Sequence, residues 1–165
     1  ISIFGPISGA HFNPIVSLIF WLKRMMSLKD FIAYVVMQIS GAIFGCVVAN
    51  IIFKLPPVTI STLVRHDFSQ FLSEILATFG LVLVIFIGSE VSKQNIPVLV
   101  GSYITSAYWF TSSTSFANPA VTFARQFSDT FTGISPSGVP TFITAQIFGA
   151  ILGFVVIQWL TNKVI

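Results

Sequence analysis

Two short motifs carry most of the chemistry that this sequence offers. Asn13-Pro14-Ile15 stands near its start, and Asn118-Pro119-Ala120 about two thirds of the way along. Asn is a preferred helix N-cap, and Pro suits the first helical position, where a missing N–H costs nothing. Each Asn-Pro follows a stretch of small and polar residues, Pro6 to Phe12 and Thr111 to Ala117, and each opens an apolar run. Both sites therefore predict helix starts, of helices too short to cross a bilayer. Other reactive groups are sparse. Glu74 is the one acid clearly inside an apolar run, His11 lies just before the first Asn-Pro, and Cys46 is the single cysteine. One cysteine excludes an intramolecular disulfide and a Cys-based metal site. The sequence holds no His-Glu-x-x-His, no Gly-x-Ser-x-Gly and no paired acids, so neither an enzyme nor a bound cofactor is expected.

The elements that must position these groups follow from composition. Hydrophobic residues make up 55% of the chain and charged residues 8%, with a mean hydropathy of +0.92. A soluble domain carries roughly 25% charged residues, so the chain reads as a membrane protein with the lipid bilayer as its surroundings. Its formal charge of +3 calls for no nucleic acid. Lys and Arg flanking membrane spans account for it, because they hold a protein's orientation.

In chain order, residues 14–22 predict a half-length helix that stops at Lys23-Arg24. A full span needs about 20 apolar residues. Lys23, Arg24 and Lys29 form the densest basic cluster, which places that loop on the cytoplasmic side. Residues 31–53 are uncharged and predict a span, with Gly41, Ala42 and Gly45 as a small-residue face for close packing. Residues 54–70 read as an external loop. Residues 71–89 predict a second span with Glu74 near its outer end, and residues 90–95 a short inner turn. Residues 96–110 run back outward, residues 119–127 form a second half-helix, and residues 141–160 form a last span. By this parity Glu90 and Lys163 join the cytoplasmic side, while His66, Asp129 and Ser137 face out. The expected fold class is all-α membrane protein, with four complete spans and two re-entrant half-helices in one channel-like domain over residues 1–165.

The chain also repeats itself. Gln38-Ile39-Ser40-Gly41-Ala42-Ile43-Phe44-Gly45 follows the first Asn-Pro, and Gln146-Ile147-Phe148-Gly149-Ala150-Ile151-Leu152-Gly153 follows the second at nearly the same distance. Both read Gln-x-x-Gly-Ala-x-x-Gly. Residues 71–165 make one complete unit of three spans and a half-helix, and residues 1–53 the remainder of another. With three spans per unit the copies insert in opposite senses, an inverted repeat. A secondary transporter can share that architecture, but it would need acidic groups near the midplane for a coupling ion, and only Glu74 is at hand.

Ser8-Gly9-Ala10-His11-Phe12-Asn13-Pro14 and Ser115-Phe116-Ala117-Asn118-Pro119-Ala120 resemble the paired motifs of the major intrinsic protein family, the aquaporins and aquaglyceroporins. The resemblance covers the whole chain. It implies that the first span and most of the second lie outside this sequence, and Ile15 replaces the usual Ala. It implies a passive channel for small neutral solutes that excludes ions and protons, assembled as a homotetramer in a cell membrane, with the bacterial inner membrane as the expected location. Asn13 and Asn118 would donate to a passing water or hydroxyl at the pore centre. The carbonyls of Gly9, Ala10, His11, Ser115, Phe116 and Ala117 would accept from it. Glu74 would bind backbone N–H groups of a pore loop, a structural task shared with packing by Gln38 and Gln146. His11 is either a pH sensor or, more simply, a packing residue that offers its carbonyl.

The resemblance also carries over a selectivity filter. Most relatives have Arg directly after the second Asn-Pro-Ala, where this chain has Val121. The other transferable positions, Ser106 and Ser115, are small hydroxyls. Loss of the Arg leaves a wider opening with one apolar wall, which implies an aquaglyceroporin-like pore for water, glycerol-like polyols and similar solutes. The Val-for-Arg pattern resembles members from bacterial arsenic-resistance operons, so undissociated arsenite is a further expected solute. Arg125, one turn beyond Val121, either restores a cationic gate at the outer mouth or extends to the interface, the simpler expectation.

Overall fold

A computed structural model describes the backbone of residues 1–164 and the side chains of residues 1–161. The position expected for the Lys163 charge falls outside the described side chains. Helices account for all regular structure among the described residues. They are α1 (Gly5–Ser8), α2 (Pro14–Leu22), α3 (Leu28–Ile52), α4 (Phe68–Ser92), α5 (Ile96–Phe110), α6 (Pro119–Ala124) and α7 (Val139–Val164). Short 3-10 turns cover Lys93–Asn95 and Arg125–Phe127. The four-residue α1 is the one element the sequence pattern did not predict.

Three stretches are long and apolar enough to cross a membrane: Leu28–Ile52, Phe68–Phe110 and Val139–Thr161. The second folds back on itself at Lys93–Asn95. Tyr103 Oη donates to the Ala77 carbonyl at 2.9 Å, and Ser73 and Ser112 meet at 3.0 Å, so α4 and α5 run antiparallel. Four long helices result. At 15 residues α5 is the shortest of them, about 22 Å. The nine-residue α2 reaches about 13 Å, half the hydrocarbon depth. The second half-helix is shorter than the pattern suggested: α6 is six residues, then tightens into the 3-10 turn at Arg125.

The repeat is legible in the packing. α2 lies against α3 as α6 lies against α7, while α2 also touches α7 and α3 packs along α6. Ile15 and Ile19 of α2 join Val82 and Phe86 of α4 and Ala150 and Ile157 of α7 in the largest apolar cluster. The small-residue faces of the two copies differ. A Cβ on Gly149 would run into the Ile75 carbonyl, and one on Gly153 would lie 2.8 Å from a Val82 methyl, so α7 seats directly on α4. At Gly41 and Gly45 a Cβ would meet no other atom within 4 Å in this structure. Much of α3 is outward-facing, Met37 and Phe44 each being 70% exposed.

The loop between α3 and α4 crosses one end of the bundle. Ser61 N–H donates to the Gln126 carbonyl, Ser135 N–H to the Leu63 carbonyl, and Asp129 accepts from Thr62 N–H at 2.8 Å. Asn50 Nδ2 donates to the Pro57 and Phe127 carbonyls, both at 3.1 Å. These bonds tie the loop to the far end of α6. Lys23, at the far end of α2, lines a cavity with Glu90 and Lys93 at the opposite end of the bundle.

Candidate pore at the paired Asn-Pro motifs

Each Asn-Pro builds its half-helix in the manner its residue types predict. Asn13 and Asn118 are extended at φ −154° and −157°, and Pro follows as the first helical residue. Asn13 Oδ1 accepts from Ile15 N–H at 3.0 Å, and Asn118 Oδ1 from Ala120 and Val121 N–H at 3.0 and 3.3 Å. The side-chain oxygen is thereby spent on capping. The amide nitrogens cross the molecule. Asn13 Nδ2 donates to the Ala117 carbonyl at 2.8 Å, and Asn118 Nδ2 donates to the Phe12 carbonyl at 2.9 Å. Each Asn thus binds the residue preceding the other, and α2 and α6 meet N-terminus to N-terminus. An amide NH2 carries two protons, so each Asn retains one donor after this exchange. The two helix N-termini, each equivalent to roughly +0.5 charge, converge on the same point.

The approach to each Asn is irregular in the same way. Ala10 and Phe12 have φ of +48°, and Ser115 and Ala117 have +48° and +44°. These are the third and first residues before their Asn. Left-handed backbone at residues other than Gly costs about 1–3 kcal/mol apiece and persists only where surrounding structure imposes it. On the second loop Glu74 does so. Its carboxylate, fully buried, accepts from Phe116 and Ala117 N–H at 2.8 Å each, from Ser113 Oγ at 2.6 Å and from Gln146 Nε2 at 2.7 Å. Four donors satisfy a charge that would be costly in hydrocarbon if left unpaired. Gln146 also donates to Thr122 Oγ1 at 2.8 Å on α6. On the first loop Tyr34 Oη donates to the Ser8 carbonyl, and Gln38 Nε2 donates to Ser17 Oγ at 3.0 Å on α2. His11 Nδ1 lies 3.0 Å from the same hydroxyl, with its ring 4.3 Å from Phe20. His11 is packed as well as hydrogen-bonded.

A cavity of about 920 Å³ runs past both loops. Gly9, Ala10, His11 and Asn13 line it from one half; Ser115, Phe116, Ala117, Asn118, Val121 and Arg125 line it from the other. Among the described residues, no protein group donates to the carbonyls of Gly9, Ala10, His11, Ser115 or Phe116. The Ala117 carbonyl differs from the expectation for it, since Asn13 occupies one of its acceptor positions. Ser115 Oγ is buried without a partner. Val121 borders this cavity and a second one, of about 700 Å³, against α3.

Two placements depart from the sequence reading. Ser106 stands on the exposed side of α5 with its hydroxyl donating to the Ser102 carbonyl at 2.9 Å, and the α5 residues at the cavity are Ile96, Pro97, Val100 and Ile104. Positions 96, 100 and 104 follow one another a turn apart, whereas position 106 is about 200° around the helix from position 104. Arg125 does not extend to the interface. It folds over Phe116, with its guanidinium carbon 4.2 Å from the ring centroid.

Arg65 is the residue that sequence reasoning missed. Though in the loop before α4, it is only 5% exposed. Its guanidinium donates to the Gly133, Phe131 and Ser113 carbonyls at 2.8, 2.8 and 3.2 Å and lies 5.4 Å from the Phe116 centroid. Burial holds its pKa below the usual arginine range, partly offset by Glu74 and Tyr108. Nothing in the sequence around Arg65 marks it, because its three partners lie in segments far along the chain.

Comparison with known proteins agrees with this geometry. The family model for Major intrinsic protein matches residues 1–115. Aquaglyceroporin AqpS of Rhizobium meliloti (strain 1021) is 49% identical over 97% of this chain and 69% of its own length. Probable aquaporin AqpM of Archaeoglobus fulgidus is 30% identical over 96% of this chain and 68% of its own. The Glycerol uptake facilitator protein of Bacillus subtilis is 28% identical over 90% and 61%, respectively. An all-helical chain with span-length apolar helices, two opposed Asn-Pro half-helices and these relatives is an integral membrane protein of the major intrinsic protein family, whose members are channels and not enzymes.

Proposed function

We propose that this chain forms the wall of a passive pore for water and small neutral hydroxylated solutes of the glycerol kind, closed to ions and protons. The reciprocal bonds of Asn13 and Asn118 carry the reading, because they leave two amide protons and two helix N-termini at one point of one cavity. A water or hydroxyl oxygen would turn toward those donors, and its protons would turn away to the unpartnered carbonyls of Gly9, Ala10, His11, Ser115 and Phe116. That alternation breaks a proton-conducting file, and the converging dipoles oppose cations. Ser115 and Val121 border the path with one small residue and one apolar wall. A filter so lined favours solutes larger than water, and undissociated arsenite, a neutral trihydroxide, is a candidate alongside glycerol. Residues 1–53 and 71–165 serve as the two halves of the repeat. Lys23, Arg24, Lys29 and Glu90 face the cytoplasm, the assembly is a homotetramer, and the location is a bacterial inner membrane.

The deciding experiment is stopped-flow shrinkage and swelling of proteoliposomes that contain the full-length protein, with no ion gradient. Water and glycerol fluxes well above those of empty vesicles are expected. Solute uptake that appears only when a sodium or proton gradient is imposed would replace this reading with an inverted-repeat secondary transporter.

A further inference from the structure

We propose that Arg125 provides, one helical turn beyond the second Asn-Pro-Ala, the fixed positive charge and the free N–H donors of the outer mouth, and so sets the discrimination between a cation and a neutral solute of the same shape. This rests on the channel reading above. The guanidinium lines the cavity and, among the described residues, has no hydrogen-bond acceptor and no close ion pair, Glu74 acting on it only at a distance. Its N–H groups are therefore committed to no protein acceptor, and those that face the cavity can donate to a solute oxygen.

Its seat is rigid. The Phe116 backbone N–H is bound to Glu74, and the Phe116 ring stands edge-on to the buried ring of Phe142, with centroids 5.2 Å apart. A guanidinium over an aromatic face keeps its N–H edge free while the ring holds its plane. Arg65 approaches the same ring but is committed to three carbonyls, so it contributes charge and no donors. Two like charges on one ring repel, and Arg125, the one not pinned, is turned toward the cavity. Ser115 lies just before Phe116, but its hydroxyl oxygen is buried, so the N–H groups of Arg125 are the accessible polar side-chain groups at that point. A neutral solute with hydroxyl or carbonyl oxygens is served by these N–H groups. A cation of the same outline is repelled by the guanidinium.

The test uses urea and the guanidinium ion, planar molecules of nearly the same size that differ in charge. Fluxes of both would be measured in proteoliposomes of the full-length protein, unmodified and with Arg125→Gln or Arg125→Lys. The expected result is a guanidinium-to-urea permeability ratio at least tenfold higher in Arg125→Gln and kept low by Arg125→Lys. An unmodified protein that passes neither urea nor glycerol would sink the channel reading itself. If the unmodified protein conducts, an unchanged ratio in Arg125→Gln overturns the role of Arg125 alone. Loss of urea flux in both variants does so too, because it would assign Arg125 to the framework.

Discussion

Gln38 and Gln146 hold the same turn of the two half-helices. Gln38 donates to Ser17 and Gln146 to Thr122, and each hydroxyl belongs to the residue four positions after its motif's Asn. The Thr122 hydroxyl in turn donates to the Asn118 carbonyl at 2.9 Å, while Ser17 makes a longer contact of 3.5 Å to the Asn13 carbonyl. The repeat seen in sequence as Gln-x-x-Gly-Ala-x-x-Gly is thus a clasp between a long helix and the first turn of a half-helix. The copies differ in their third member. Glu74 completes the second clasp and His11 the first.

That difference sets a first expectation. Gln146→Leu removes a donor from a buried carboxylate and from a buried hydroxyl, so it should destabilise by about 2–4 kcal/mol. Gln38→Leu removes one neutral bond in a half-buried setting and should cost about 1 kcal/mol. Chemical unfolding in detergent micelles, followed by circular dichroism, gives both values. Equal losses in the two variants would show that Glu74 adds nothing to the second clasp.

The left-handed residues give a second expectation. Ala10 has φ +48° and is 5% exposed. Ala10→Gly relieves the backbone and should be neutral or stabilising by up to about 1 kcal/mol. Ala10→Val places a β-branched side chain in that region and should cost at least about 2 kcal/mol. Thermal melting of the two variants checks the order, and a Val variant as stable as the Gly variant would rule out strain in this loop.

The glycines give a third. Gly149→Ala drives a methyl into the Ile75 carbonyl at the α4–α7 contact, and overpacking of this kind costs about 1–3 kcal/mol. Gly41→Ala meets open space on α3 in this structure and should be neutral or slightly stabilising by helix propensity. Identical melting shifts for the two substitutions would contradict the asymmetry between the repeats.

Sequence alone carried far for the groups whose placement is local. Asn-Pro specified a capped helix start by its own chemistry, and the 3.6-residue geometry of an apolar run set the lengths of α2 and α5 closely. The Gln-Gly-Ala repeat marked Gln38 and Gln146 as equivalent positions but suggested packing for them, and their bonds to Ser17 and Thr122 came only with the structure. What it could not give was set by distant partners. Arg65 is buried because carbonyls at Ser113, Phe131 and Gly133 converge on it. Arg125 turns inward because Phe116 is fixed beneath it. The rotation of α5, which brings Val100 and Ile104 to the cavity and leaves Ser106 outside, depends on how Tyr103 locks against α4. A spacing counted along the chain carries no information on that rotation.

A fourth expectation concerns orientation. The loop residues at Asp129 and Ser137 share one end of the bundle with residues 59–65, and Lys23 shares the other with Glu90 and Lys93. The basic cluster at Lys23, Arg24 and Lys29 assigns its end to the cytoplasm. Ser137 is exposed. A cysteine placed there, in a Cys46→Ser background, should react with a membrane-impermeant maleimide added outside intact cells. Reaction only after the inner face is opened would invert the topology.

The last expectation tests Val121, the position at which the resemblance to the family leads one to expect Arg. Val121 borders the cavity on the first turn of α6, and its backbone N–H is already held by Asn118 Oδ1 at 3.3 Å. The helix start is therefore fixed whatever the side chain, and a substitution there acts on the lumen and not on the cap. Val121→Arg places a second guanidinium one turn, about 5.4 Å, from Arg125 on the same helix face. Both cannot use the Phe116 ring, so the new side chain must occupy the space beside Ser115 that Val121 leaves open. Glycerol and arsenite must fit their full cross-section through that space, whereas water need not. Glycerol and arsenite flux should fall by about tenfold, an added barrier of roughly 1.4 kcal/mol, with water flux changed less than twofold. Val121→Ala, which widens the same wall, should leave glycerol flux equal or higher. Stopped-flow measurements on the two variants in one lipid composition separate the outcomes. If Val121→Arg passes glycerol as fast as the unmodified protein, Val121 does not lie at the narrowest point, and the solute preference must be set elsewhere in the pore.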